Sequence, residues 1–179
     1  MLIQEGVVEI SIVLMNGRKS VLNHMESGEI LGEIALFDQA GRSADAIALS
    51  TVQGVVIHRQ HVLEVLNRHQ DALYAIIQTL CSRVRNASEM FENQSHPSAN
   101  NRLARCLMRL AKKWGESLEP GEVHIRYSFT QADLGEIAGL ARENVNRHLQ
   151  AWMREGLIQF NKGDITILDM EALREIAEL

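Results

Sequence analysis

Cysteine is scarce. Cys81 and Cys106 are the only two in 179 residues, and they form neither a CxxC pair nor a disulfide framework. A reducing cytoplasm is the expected home. No apolar run approaches the roughly 20 residues needed to cross a bilayer, and no charged-then-apolar leader marks a secretory signal. The sequence holds no Walker loop, GxGxxG or Ser/His/Asp set, so an enzyme is not expected. Of seven histidines, none is paired at a metal-ligand spacing on a convincing face; His58 and His61 come nearest and read as surface residues, so no metal is expected. Positive charge is short overall, the net being −5, but it is unevenly spread. Residues 1–95 hold 7 Lys+Arg against 11 Asp+Glu, whereas residues 102–154 hold 9 against 6. A DNA reader needs a basic face but need not be basic throughout, so this local excess fits nucleic acid and equally a solvated surface.

The composition, 46% apolar and 23% charged, is that of a globular protein of one mid-sized or two small domains. Residues 2–60 read as strands and turns. The run from Val7 to Leu14 is rich in β-branched residues, and Asn16-Gly17 after it is a strong hairpin signal. Lys19 to Leu22 begins the return strand, Ser27-Gly28 marks a turn, and residues 46–50 and 52–57 give two more short strands. Such spacing suggests a β-roll or barrel.

From residue 60 to 94 the period changes to helical. Leu73, Ile77, Leu80, Val84, Ala87 and Phe91 recur at alternating spacings of four and three, a narrow heptad seam. A helix packing only on its own domain favours a wider stripe, so dimerisation through this seam is the expectation. His96-Pro97-Ser98 interrupts the pattern, because proline lacks a backbone donor and restricts its predecessor; the domain hinge is placed there. A new helix over 99–114 puts Leu103, Leu107, Leu110, Ala111 and Trp114 on one face, and Pro120-Gly121 closes the loop after it.

Residues 129–160 carry the sharpest signal. Thr130 is a good N-cap, with Asp133 placed to suit a helix start. Leu134, Ile137 and Ala138 give a first helix its buried face, and Gly139 permits the tight turn of a helix-turn-helix. Val145, Leu149 and Trp152/Met153 back a second helix, leaving Arg142, Glu143, Asn146 and Arg147 outward, where a recognition helix enters a major groove. Arginine can pair with guanine O6 and N7, and glutamate can accept from cytosine N4. Two short strands around Asn161-Lys162-Gly163-Asp164 make a wing, with Lys162 placed to meet phosphate. The alternative is a helical hairpin with a solvated charged face.

This segment resembles the DNA-binding domain of the Crp/Fnr (catabolite activator) family of bacterial regulators. In that family Arg-Glu-x-x-x-Arg opens the recognition helix, and Arg142, Glu143 and Arg147 match it. The resemblance implies that these three read base edges and that Thr130 and Gln131 touch the DNA backbone. Ala141 stands where Ser or Thr often caps the helix, and Asn146 where a small residue is common, a change that bears on the preferred DNA sequence. Upstream, Gly32-Glu33-Ile34-Ala35-Leu36-Phe37 followed by Gly41-Arg42-Ser43-Ala44 looks like the phosphate-binding cassette of cyclic-nucleotide-binding domains. By that likeness Arg42 pairs with the cyclic phosphate, Ser43 donates to a phosphate oxygen, and Glu33 accepts from the ribose hydroxyl; the alternative is a structural Glu33–Arg42 ion pair. Arg83 and Ser88 match nucleotide-facing positions on the long helix, while Ala87 stands where a threonine meets adenine.

The resemblance spans about residues 2–170 and implies an α+β chain. Its parts are a partial β-roll sensor over 1–66, a dimerisation helix over 67–96 and a winged helix-turn-helix over 97–179. The family's sensor begins some tens of residues earlier, so its first strands are expected to be missing. The implied function is a homodimeric transcription regulator binding a palindromic operator, with RNA polymerase as a partner, no membrane, and a cyclic AMP-like effector. A redox, haem or metabolite signal, or none, is the alternative.

Overall fold

The computed structural model describes residues 1–95 and 98–178. The chain forms two compact units, Met1–Met90 and Phe91–Leu179. The first contains strands β1 (Leu2–Glu5), β2 (Val8–Val13) and β3 (Lys19–Met25), helix α1 (Glu33–Asp38), and strands β4 (Asp45–Ala48) and β5 (Gln53–Val55). Helix α2 (Arg59–Arg68) follows, and α3 (Gln70–Ser95) runs across the division.

β-Branched residues favour the pleated backbone of β2. Asn16-Gly17 folds it back onto β3, with Asn16 Oδ1 accepting from the Arg18 N–H at 3.1 Å. Strands β3, β2 and β4 form an antiparallel sheet in that order, and β1 pairs with β5. Alternation along the strands brings Val8 and Met25, which are register partners, against Ile3, each no more than 4% exposed. Burying such side chains contributes about 1.5–3 kcal/mol apiece. β4 and β5 are exposed along their length, with Ile47 and Val55 at the surface.

The helical stretch is interrupted once. His69, extended at φ −127 and ψ 97, separates α2 from α3 with no proline or glycine to mark the break. Along α3, Leu73, Ile77, Val84, Ala87 and Phe91 are exposed and Leu80 is half-buried. A second stripe, about a quarter-turn round the helix, carries half-buried Ala72, Ile76, Arg83 and Asn86 and buried Met90. The seam is thus turned away from the stripe that packs. His96 and Pro97, two of the three residues of the expected hinge, lie outside the described residues.

The second unit contains α4 (Ala99–Trp114), β6 (Gly115–Ser117), β7 (Val123–Ile125), α5 (Gln131–Ala138), α6 (Arg142–Arg154), β8 (Ile158–Asn161), β9 (Asp164–Ile167) and α7 (Met170–Glu178). The α4 face read from spacing is buried. Trp114 stacks on Phe129 at 5.5 Å and meets Tyr127 edge-on at 4.8 Å, which ties the lead-in of α5 to the end of α4. The wing is wider than the expected pair of strands, a four-stranded sheet in the order β6-β7-β9-β8. Helix α7 packs on α4 through buried Leu173 and Ala177, and the Ala177 carbonyl accepts from Arg105 Nε at 2.9 Å. Among the described residues no helix is long and apolar enough to cross a membrane.

Candidate nucleic-acid interface and effector cassette

The helix-turn-helix is built by α5 and α6. Thr130 Oγ1 accepts from the Asp133 N–H at 3.2 Å, and Asp133 Oδ2 accepts from the Thr130 N–H at 2.8 Å, a complete capping box. Gly139 ends α5 at φ 68, a left-handed conformation that favours glycine. A second glycine shapes the turn. A Cβ on Gly135 would sit 2.7 Å from the Leu140 carbonyl oxygen, while the Leu140 N–H donates to the Gly135 carbonyl at 2.8 Å.

On α6, Val145, Leu149 and Trp152 are at most 2% exposed, and Arg142, Glu143, Asn146 and Arg147 all lie on the exposed face. The helix starts at Ala141 without a side-chain cap, and the Asn144 N–H donates to the Ala141 carbonyl at 3.0 Å instead. Arg147 Nη2 donates to Asn144 Oδ1 at 3.0 Å, and Gln131 Nε2 donates to Asn146 Oδ1 at 2.9 Å. His148 lies beside Trp152, ring centroids 6.3 Å apart; burial, and then the charge of Arg147, push its imidazole below the usual range. In the wing, Lys162 is exposed at φ 51 in the turn between β8 and β9. The Phe129 N–H donates to the Gly163 carbonyl at 2.8 Å, holding this turn against the residue before Thr130. The structure therefore gathers Thr130, Gln131, Asn146 and the wing turn around the start of α5.

In the first unit Gly32, at φ 88, leads into α1 with no side-chain cap. A Cβ on Gly32 would collide with the Arg42 guanidinium, whose Nη1 donates to the Gly32 carbonyl at 3.4 Å. Glu33 is buried, but its partner is not Arg42: Oε1 lies 2.6 Å from Arg83 Nε on α3. Arg83 Nη2 also reaches the Ile30 carbonyl at 3.5 Å and Met25 Sδ at 3.6 Å. Ile34 and Ser43 are exposed and Ala35 half-buried. Gly32, Glu33, Arg42 and Arg83 thus come together. Ser88 does not join them: five residues beyond Arg83, it lies on the far side of the exposed seam, and its hydroxyl donates to the Val84 carbonyl at 3.1 Å. The exposed Arg42 fork can take a phosphate in bidentate fashion, and Glu33 can accept from a hydroxyl.

Sequence reasoning missed three contacts here. Gly135 carried a faint signal, a glycine inside a helical pattern. The Glu33–Arg83 pair and the Gln131–Asn146 bond join residues that no spacing connects.

Residues 1–69 match the cyclic nucleotide-binding domain family, and residues 101–176 match the Crp-like helix-turn-helix domain family. The cyclic AMP receptor protein of Thermus thermophilus is 27% identical over 176 residues, covering 98% of this chain and 78% of that protein. A solved CRP/FNR-family transcriptional regulator, also from Thermus thermophilus, is similar at a TM-score of 0.74 and 26% identity, over 99% of this chain and 86% of the other. The c-di-GMP responsive global regulator CLP of Xanthomonas campestris has a TM-score of 0.76 at 21% identity, over 92% of this chain and 82% of its own, a likeness of fold alone.

Proposed function

The chain belongs to the Crp/Fnr family of transcription regulators, joining a cyclic nucleotide-binding domain to a Crp-like helix-turn-helix, and from that premise we propose a homodimeric, sequence-specific DNA reader controlled by a small effector. One observation carries this reading: α6 presents Arg142, Glu143, Asn146 and Arg147 outward from a fully buried back. Two such helices, one per protomer, enter successive major grooves about 34–36 Å apart on a palindromic site. Thr130 and Lys162 take phosphates and set the register. The exposed Leu73–Phe91 seam joins the protomers; burying it supplies the driving force. No catalysis is assigned, RNA polymerase is the downstream partner, and the cytoplasm is the site of action.

The effector is a cyclic nucleotide, cyclic AMP-like, held at the cassette by Gly32, Glu33, Ile34, Ala35, Arg42 and Ser43. The naming of the Thermus relative for cyclic AMP supports this. It controls DNA binding only by the difference between its affinities for the two states of the protein. A second reading, the same DNA reader answering a non-nucleotide signal or none, is favoured by the Glu33–Arg83 pair, which already engages the carboxylate meant for the sugar.

Selection from random duplexes at fixed salt, with and without cyclic AMP or cyclic GMP, tests both. A palindrome enriched only with nucleotide supports the full reading. Enrichment that ignores nucleotide selects the second, and no enrichment refutes the DNA reader.

A further inference from the structure

At the centre of the exposed face of α6, between Arg142 and Glu143 one turn earlier and Arg147 beside it, stands Asn146. A free asparagine is an adenine reader: its oxygen accepts from N6 while its NH2 donates to N7. Asn146 is not free. Its Oδ1 accepts from Gln131 Nε2 at 2.9 Å. Gln131 is in turn the first residue of α5, directly after the Thr130 cap, so its backbone is fixed by the capping box. The oxygen and nitrogen of an amide point apart, so a bond that draws Oδ1 toward α5 aims Nδ2 away from it. The side chain then offers two N–H donors and no well-directed acceptor.

We propose that Asn146, oriented by Gln131, is a base-discriminating residue that selects guanine, whose O6 and N7 are adjacent acceptors, at one position of each half-site. The inference rests on the DNA-reading role of α6 and adds to it. Adenine is disfavoured because its N6 amino group faces a donor, cytosine because its N4 is itself a donor, and thymine because it offers O4 as a lone acceptor beside its methyl group where guanine offers two. Gln131 is here a positioning residue: it acts on the base through Asn146.

The test uses the full chain, a site selected from random duplexes, and four duplexes differing only at the affected base pair, all at one salt concentration. Guanine is expected to exceed adenine and cytosine by about tenfold or more. In Gln131→Glu the introduced carboxylate can only accept, so Asn146 must donate to it and present its oxygen. The preference should move to a base with an amino group, adenine or cytosine, while the positions read by Arg142, Glu143 and Arg147 stay as they were. Asn146→Ala, a change at an exposed site that leaves the fold intact, should make the position indifferent. A wild-type chain that binds its palindrome with no guanine preference sensitive to Asn146→Ala overturns the proposal and leaves the DNA reader standing. So does a preference that Gln131→Glu does not change. A wild-type chain that selects no sequence overturns both.

Discussion

Gly135→Ala sets two physical effects against each other. Alanine is the better helix former, and in an open helix the exchange gains about 0.5–1 kcal/mol. At this position the added Cβ lands 2.7 Å from the Leu140 carbonyl oxygen, which is backbone and cannot swing aside as a side-chain end would. Leu140 is itself 5% exposed, and its N–H is bonded to the Gly135 carbonyl at 2.8 Å, so the turn has little room to yield. Overpacking of this kind costs about 1–3 kcal/mol, which leaves a net loss of about 0–2.5 kcal/mol, centred near 1 kcal/mol. For a unit of this size each kcal/mol lowers Tm by about 4–8 °C. Both tryptophans, Trp114 and Trp152, are buried in the second unit, so a tryptophan-fluorescence melt reports on that unit alone. DNA affinity should fall as well, because the turn sets the angle of α6. A Tm that rises, as helix propensity alone predicts, would refute the close-packing argument.

Other outcomes follow from the same geometry. Reversing both Arg142 and Arg147 to Glu should abolish sequence-specific retention on DNA in a gel-shift assay without changing the far-ultraviolet spectrum, since both are exposed. Ile77→Asp or Val84→Asp, at exposed seam positions, should convert the dimer to monomer in sedimentation; an unaltered mass would remove the seam from the interface. With a thiol reagent the native chain should show one fast cysteine, exposed Cys81, and one that reacts only on unfolding, because burial pushes Cys106 up to about 11. His148 gives a pH dependence. Its folded pKa is lowered, so above the ordinary value of 6.5 the ring is neutral folded or unfolded and no stability is lost. As pH falls below that value the unfolded chain takes the proton first, and stability declines until the folded ring titrates. Melts at pH 7.5 and about 5.5 should therefore differ less in His148→Gln than in the wild type.

The elements that depend on local pattern were legible in the sequence. The Asn16-Gly17 hairpin, the Thr130 cap, the Gly139 turn and the buried faces of α4, α5 and α6 each follow from residues within a few positions of one another. The break at His69 was not legible, because an ordinary residue in an extended conformation leaves no compositional mark. Strands β6 and β7 are three residues each, too short to show alternation. The candidate site was half legible: the outward placement of Arg142 and Arg147 follows from their spacing against Val145 and Leu149. That Glu33 would meet Arg83, fifty positions on, rather than Arg42 depends on tertiary packing. The same holds for Gln131 and Asn146, which only the angle between α5 and α6 brings together.

Base reading by α6 is put to the test by comparing affinities at one salt concentration for a selected palindrome and for the same duplex scrambled, with saturating cyclic AMP and without nucleotide. A specificity ratio of about 10³ or more is expected when α6 reads base edges in two half-sites. Equal affinity for the two duplexes under both conditions would contradict it, because phosphate contacts alone would then explain all of the binding.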